Sequence, residues 1–137
     1  MRLTSFTDFG LRALMRLGSA PGRAETSAVL ARELGVSRHH LIKVLQRLSA
    51  AGYVRAVRGA GGGVRLARAP EAIRLGEVVG LLEGDQPLVE CCRADGGHCP
   101  LTAECRLRGM LVRARAAFFE TLNGRTLADC TWSAPED

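Results

Sequence analysis

The sequence predicts a mainly α-helical chain with one small β-hairpin. Three observations carry that expectation. Apolar residues recur at helical spacing in several segments, capping residues and glycines stand at the segment ends, and two short β-branched runs flank the glycine-rich stretch Gly59 to Gly63. At 137 residues the chain suffices for one core, or for a small domain with an appended dimerising element.

Residues 5–19 place Phe6, Phe9, Ala13, Leu14 and Leu17 on one helical face behind a cap at Thr4 or Ser5. Thr26 or Ser27 caps a second, short helix through Leu34, which Gly35 closes. Ser37 then caps a third helix, whose Leu41, Val44, Leu45 and Leu48 follow the i, i+3, i+4, i+7 pattern of a buried stripe. A helix, a glycine turn and a capped helix make a helix-turn-helix. The runs YVRAVR (Tyr53 to Arg58) and VRLAR (Val64 to Arg68) follow at once and predict a hairpin with a flexible tip. Together these segments read as a winged helix-turn-helix domain over residues 1–70.

Residues 71–106 read as a linking helix, Leu75 to Leu82, and a cysteine loop. Residues 107–137 read as a long amphipathic helix with a C-terminal tail. The stripe Leu107, Met110, Leu111, Ala114, Ala117, Phe118 and Leu122 needs a cover. Pairing with a second copy, a homodimer, supplies one along with the two-fold symmetry of palindromic DNA; packing on the same chain's own domain is the alternative.

Charge is divided unevenly. Residues 1–70 hold 12 Arg or Lys against 3 Asp or Glu, a balance of +9, whereas residues 71–137 hold 7 against 11, a balance of −4. A basic front carrying its own fold signals points to a nucleic-acid partner, double-stranded operator DNA. At about 100° per residue His39, Lys43 and Gln46 point away from the buried stripe of the third helix, with Arg47 beside them and Ser37, Arg38 and His40 in the first turn. Such side chains suit base edges and phosphates in a major groove; an ordinary solvated face is the bland reading of that stripe taken alone. Arg58 and Arg65 are expected at the shoulders of the hairpin, within reach of phosphates or a minor groove.

Some functions are excluded. No Ser/His/Asp set appears, and the Gly59 to Gly63 run lacks the Lys-Ser/Thr of a phosphate-binding loop, so no enzyme is expected. No segment approaches the ~20 apolar residues of a membrane span. Asp8, Arg12 and Arg16 interrupt what would be the apolar region of a signal peptide, so a cytoplasmic protein without a membrane partner is expected.

Four of the five cysteines fall within VECCRADGGHCPLTAECRL, Val89 to Leu107. Stable disulfides are rare in a reducing cytoplasm, which turns the reading toward metal or redox chemistry. The absence of any C-x2-C pair argues against a common zinc ribbon and against ferredoxin-type runs. Zinc with His98 as an added ligand, an iron-sulfur cluster, and inert core thiols remain the readings open to these residues.

MRLTSFTDFGLRALMRL, LARELGVSRHHLIKVLQRL, VRGAGGGVRLAR and the LVECC to CPLTAECRL segment resemble, over nearly the whole chain, the bacterial iron-sulfur winged-helix repressors that include NsrR, IscR and RirA. That resemblance implies three cysteines holding a cluster: Cys91, Cys99 and Cys105, with Cys92 as the alternative to Cys91. IscR-like members carry a histidine three residues after the last cysteine, where this chain has Arg108. The resemblance is therefore to the nitric-oxide-sensing NsrR branch, which implies a fourth ligand from the partner subunit at the position of Asp8. The residues alone explain Asp8 differently, as a first-turn carboxylate four residues before Arg12. Three thiolates and one carboxylate imply a 4Fe-4S cluster rather than 2Fe-2S, with nitric oxide displacing the poorly matched carboxylate and releasing DNA. Cys130 is expected to be a bystander.

Overall fold

A computed structural model describes residues 1–133, 135 and 136; Ala134 and Asp137, at the end of the expected tail, lie outside the described residues. The elements run α1 (Ser5–Gly18), α2 (Ser27–Leu34), α3 (Arg38–Ala50), β1 (Val54–Val57), β2 (Gly63–Leu66), α4 (Leu75–Glu83) and α5 (Arg106–Asn123), with short 3-10 turns between α4 and α5 and after α5. The mainly helical fold with a two-stranded antiparallel hairpin agrees with the sequence reading.

Local chemistry sets the helix limits. The Thr4 hydroxyl accepts the Thr7 N–H, the Thr26 hydroxyl that of Val29, and the Ser37 hydroxyl that of His40. Thr4 and Thr26 are thus the caps, not Ser5 and Ser27. Gly35 closes α2 with φ 64°, and α3 begins three residues later. All four stripe residues of α3, Leu41, Val44, Leu45 and Leu48, are buried against Leu14 and Leu17 of α1 and Leu30 of α2.

The hairpin pairs Val54 with Leu66, Arg55 with Arg65, Ala56 with Val64 and Val57 with Gly63. Val64 also exchanges both backbone hydrogen bonds with Glu25, at 2.8 and 2.9 Å. The wing is therefore tied to the chain between α1 and α2, a bridge the sequence does not announce. The backbone passes close to other backbone at the start of β2. The Gly62 N–H donates to the Gly59 carbonyl at 3.0 Å, a Cβ on Gly62 would lie 2.4 Å from the Val57 carbonyl oxygen, and one on Gly63 would lie 2.3 Å from that of Glu25. Gly62 and Gly63 are required because backbone passes too close for a side chain, and Gly59 and Gly61 because their φ values, 93° and 72°, are left-handed.

Beneath the wing lies a charge network. Arg16, on α1, has a side chain only 10% exposed and meets Glu25 at 3.3 Å and Glu33 of α2 at 2.7 Å. Arg23 reaches Glu25 from the solvent side at 2.9 Å. Hydrogen bonding to Glu33 leads the interactions that push the Arg16 pKa up, against the opposing effect of burial.

In the back half, α5 packs on α4 where Gly76 offers no side chain: a Cβ there would collide with Asn123 and with the Phe119 carbonyl. The expected stripe on α5 consequently divides. Leu111, Phe118 and Leu122 are partly buried, while Leu107 and Met110 remain 59% and 54% exposed and no residue of the helix is fully buried. Beyond α5 the chain returns to the front half, burying Leu127 and donating the Trp132 N–H to the Met15 carbonyl at 2.9 Å. Among the described residues no helix is long and apolar enough to cross a membrane.

Replacing Arg16 by alanine leaves two carboxylates without their central cation. Removing one member of a buried charge network costs about 3–5 kcal/mol, so Arg16→Ala is expected to lower the unfolding free energy by about 3 kcal/mol in urea titrations followed by circular dichroism.

Candidate nucleic-acid interface and cysteine loop

The residues expected to meet DNA are displayed at different levels of freedom. His39, Lys43 and Arg47 are exposed on α3, and among the described residues none has an ion-pair partner. Ser37 is engaged as the helix cap. Arg38 donates its Nε to the Ser27 hydroxyl at 3.3 Å, and the His40 ring stacks on Phe9 of α1 with centroids 6.5 Å apart. Those contacts join α3 to α2 and α1 and aim the exposed face. Arg58 leaves the end of β1 at the shoulder, as expected, whereas Arg65 lies within β2, partly buried and opposite Arg55. Arg68 turns inward, its guanidinium 4.3 Å from the Tyr53 ring centroid and bonded to the Ala51 and Gly52 carbonyls.

The acids of the front half are consumed elsewhere. Asp8 pairs with Arg12 at 2.6 Å, and Glu25 and Glu33 are taken by Arg16 and Arg23. The outward surface of α3 and the wing is thereby left basic, the condition for attraction to a polyanion.

The cysteine loop follows α4 and is built from short local contacts. Glu90 to Cys92 form a 3-10 turn, the Gly97 N–H is held by the Asp95 carboxylate at 3.0 Å, and the His98 N–H is held by Glu90 at 2.9 Å. Cys91 is buried, 7% exposed, and Arg108 of α5 donates to its carbonyl at 3.3 Å. Burial pushes the Cys91 thiol up; the nearby Cys92 and Cys99 act in the same direction and Arg108 against it. Cys92 and Cys99 are partly buried, and Cys105 is the N-cap residue of α5, where the helix dipole favours negative charge. Cys130 is packed against the core after α5, and burial raises its thiol pKa.

The donor set suits an iron-sulfur cluster in its chemistry, since clustered thiolates are the soft ligands such a group takes. Cys91, Cys99 and Cys105 are not brought together as a ligand set: among the described residues no three His, Cys, Asp or Glu side chains converge as metal ligands. Asp8 is engaged with Arg12, and the His98 side chain is exposed.

One junction escapes any reading of motifs. Glu83, the last residue of α4, accepts the Thr4 N–H at 3.2 Å and the Thr4 hydroxyl at 3.1 Å, and it also accepts the hydroxyl of the fully buried Thr7. A capping box ordinarily takes its acid from the third residue of the same helix. Here Thr7 occupies that position, and a carboxylate 79 residues from the cap replaces it. The start of the cysteine loop is thereby fastened to the first turn of α1, where Asp8 sits.

A helix-turn-helix tied to a basic hairpin wing, with its acids drawn inward, defines a winged-helix regulator of transcription. The Rrf2 family model, described as an iron-dependent transcriptional regulator, matches residues 3–131, and the chain belongs to that family. Among solved structures, T. potens IscR is similar at 25% identity and TM-score 0.76, over 94% of this chain and 85% of that one. Oxidised Staphylococcus aureus CymR is similar at 27% identity and TM-score 0.72, over 93% and 94%. A transcriptional regulator from Listeria innocua is similar at 28% identity and TM-score 0.76, over 94% and 85%. The family and the Listeria innocua neighbour are described as transcriptional regulators, the family as iron-dependent.

The Glu83 junction is titratable. Burial pushes its carboxyl up, but the hydrogen bonds from Thr7 and Thr4 outweigh that and hold it below the ordinary value of 4.5. Its stabilising contribution is thus complete above that value and is lost as pH falls through the lowered one. Between about pH 5 and pH 3 wild type is expected to lose more stability than Glu83→Gln, measured as the difference in urea midpoints.

Proposed function

We propose that this chain is a homodimeric, cytoplasmic transcriptional repressor whose cysteine loop holds a 4Fe-4S cluster and whose signal is nitric oxide. The observation that carries the proposal is the grouping of four of the five cysteines in one loop, held by Glu90, Asp95 and Arg108, in a chain whose family is described as iron-dependent. Cys91, Cys99 and Cys105 are the thiolate ligands, with Cys92 the alternative to Cys91. Asp8 of a second copy supplies the fourth. A cluster held there offers an iron centre with one oxygen ligand, the chemistry by which a small neutral diatomic is sensed.

The chain's own residues do the rest. The Asp8–Arg12 pair is half-exposed, and such a pair contributes only about 0.3–0.5 kcal/mol, so Asp8 exchanges partners at little cost. The exposed Leu107 and Met110 of α5 give a second copy an apolar surface to cover. Pairing there sets two α3 helices about a two-fold axis, the arrangement that reads a palindromic operator. His39, Lys43 and Arg47 then face base edges and phosphates, with Arg58 and Arg65 beside them on the wing. Ser37, Arg38 and His40 position the front of α3.

A second reading, an iron- or redox-sensing regulator with a 4Fe-4S or 2Fe-2S cluster, is favoured by the iron-dependent description of the family and by the similarity to IscR.

Anaerobically isolated protein is expected to hold close to four irons per subunit by metal analysis, with Cys99→Ala and Cys105→Ala losing them. Bound zinc without iron or sulfide would overturn the cluster. Asp8→Ala is expected to keep its iron and its dimer but to bind operator DNA far more weakly; unchanged affinity removes the cross-subunit ligand. Holo-protein that stays on DNA under nitric oxide and leaves only when iron is withdrawn favours the second reading. Lys43→Ala and His39→Ala should each cost about 1–3 kcal/mol at the operator and little on random duplex, as measured by fluorescence anisotropy.

A further inference from the structure

Behind the cysteine loop a cleft of about 530 Å³ opens between α5 and the connection that leaves α4, a volume in the range of small-molecule sites. Two of its residues are cations. Arg108 and Arg115 stand two turns apart on one side of α5, and among the described residues neither has a carboxylate partner. Asp85 is the one acid among the described residues of the wall, which leaves the cleft net positive. The rest is chiefly apolar, with Leu88, Val112 and Phe119 lining it. The Arg115 guanidinium lies 5.3 Å from the Phe119 ring centroid, and Arg108 commits only its Nε, to the Cys91 carbonyl at 3.3 Å. This face of α5 is not the one that needs a second copy. At about 100° per residue, Arg108, Val112 and Arg115 lie roughly a quarter turn from the stripe of Leu107, Met110, Leu111 and Phe118. Among the described residues Cys92 is the only thiol on the wall of the cleft.

We propose that this cleft binds a small organic acid, a carboxylate carried on an aromatic or branched apolar body. The site goes beyond the cluster reading, since it needs neither iron nor DNA. A guanidinium takes a carboxylate through two parallel N–H bonds, and one already resting on an aromatic ring loses less freedom in doing so. An inorganic anion would satisfy the arginines but leave Leu88, Val112 and Phe119 wet. A neutral apolar molecule would cover that wall but strip water from two unmatched cations. A ligand with both parts does neither. Because Arg108 also holds the Cys91 carbonyl, an acid bound to it acts on the residue that steadies the cysteine loop, and the cleft is placed as an effector site.

The test uses the full chain and isothermal titration calorimetry, with naphthoate as the acid, naphthylmethanol as its uncharged counterpart and acetate as the charge without the body. Naphthoate should bind once per subunit, and the other two about tenfold more weakly or worse. Arg115→Met, which keeps an apolar cover over Phe119 and removes the charge, should lose the preference for the acid over the alcohol. Arg113→Met, about 160° around the same helix, should keep wild-type affinity. Sedimentation should show the same oligomeric state with and without naphthoate. An alcohol that binds as tightly as the acid overturns the proposal and leaves an apolar cleft; acetate that matches naphthoate overturns it and leaves an anion site. Naphthoate that binds only protein stripped of iron assigns the cleft to the cluster, and naphthoate that splits the dimer assigns it to a second copy; either result overturns the effector site. So does the absence of binding by every probe. Iron content and duplex binding, measured on the same samples, decide the cluster and DNA readings separately.

Discussion

One desolvated cation holds the front half in register. Arg16 projects from α1 into a space that excludes most water, and a charge so placed is tolerable only with partners on it. Its partners come from two different places. Glu33 belongs to α2, and Glu25 lies on the connection whose backbone pairs with Val64 of the wing. A single side chain thus fixes the angle between α1 and α2 and the approach of the hairpin, and α3 packs into the frame so formed. Apolar burial supplies most of the stability. A packing that separates Arg16 from Glu25 and Glu33 leaves a buried ion unmatched and is disfavoured.

α1 is also held at its opposite end. Arg16 anchors its C-terminal turn to the winged domain, while Thr4 and Thr7 bind Glu83 at its N-terminus. Fourteen residues of helix span roughly 20 Å, and a helix of that length moves as a rigid rod. Displacing α4 therefore displaces α1, and with it α3, whose His40 ring lies on Phe9. The cysteine loop begins at the residue after Glu83. A rearrangement of that loop thus has a short, hydrogen-bonded route to α3, the helix proposed to face DNA, with no need for a long chain of contacts.

Much of this was legible in the sequence, and the reasons for success and failure differ by element. Thr26, Gly35 and Ser37 announce two helices and the turn between them because capping is a local matter of one hydroxyl and one left-handed residue. The four apolar residues of α3 repeat at the helical period, so their burial could be read directly. The Glu25–Val64 bridge had no such signal: a single paired residue has no period. Arg16 was hidden in the charge count, where a buried, matched cation and a free one look alike. Glu83 escaped because its partners lie at the far end of the chain. The position of Arg65 was misjudged by the extent of the strand, which runs on through the residue expected at its shoulder. The spacing of Cys91, Cys99 and Cys105 states that thiols are near in sequence, and the loop's geometry depends on Glu90, Asp95 and Arg108, which no spacing rule contains.

The glycines of the wing reward a last look. A run of this composition usually means a tip that samples many shapes and must lose that freedom whenever it is held. Here the backbone of Gly62 and Gly63 lies so close to the Val57 and Glu25 carbonyls that the shapes open to this end of the tip are few. The loss of freedom is incurred on folding, and little remains to be lost on association. A single methyl group at Gly63 would push the wing away from the Glu25 carbonyl and break the backbone pairing that ties the wing to the front half.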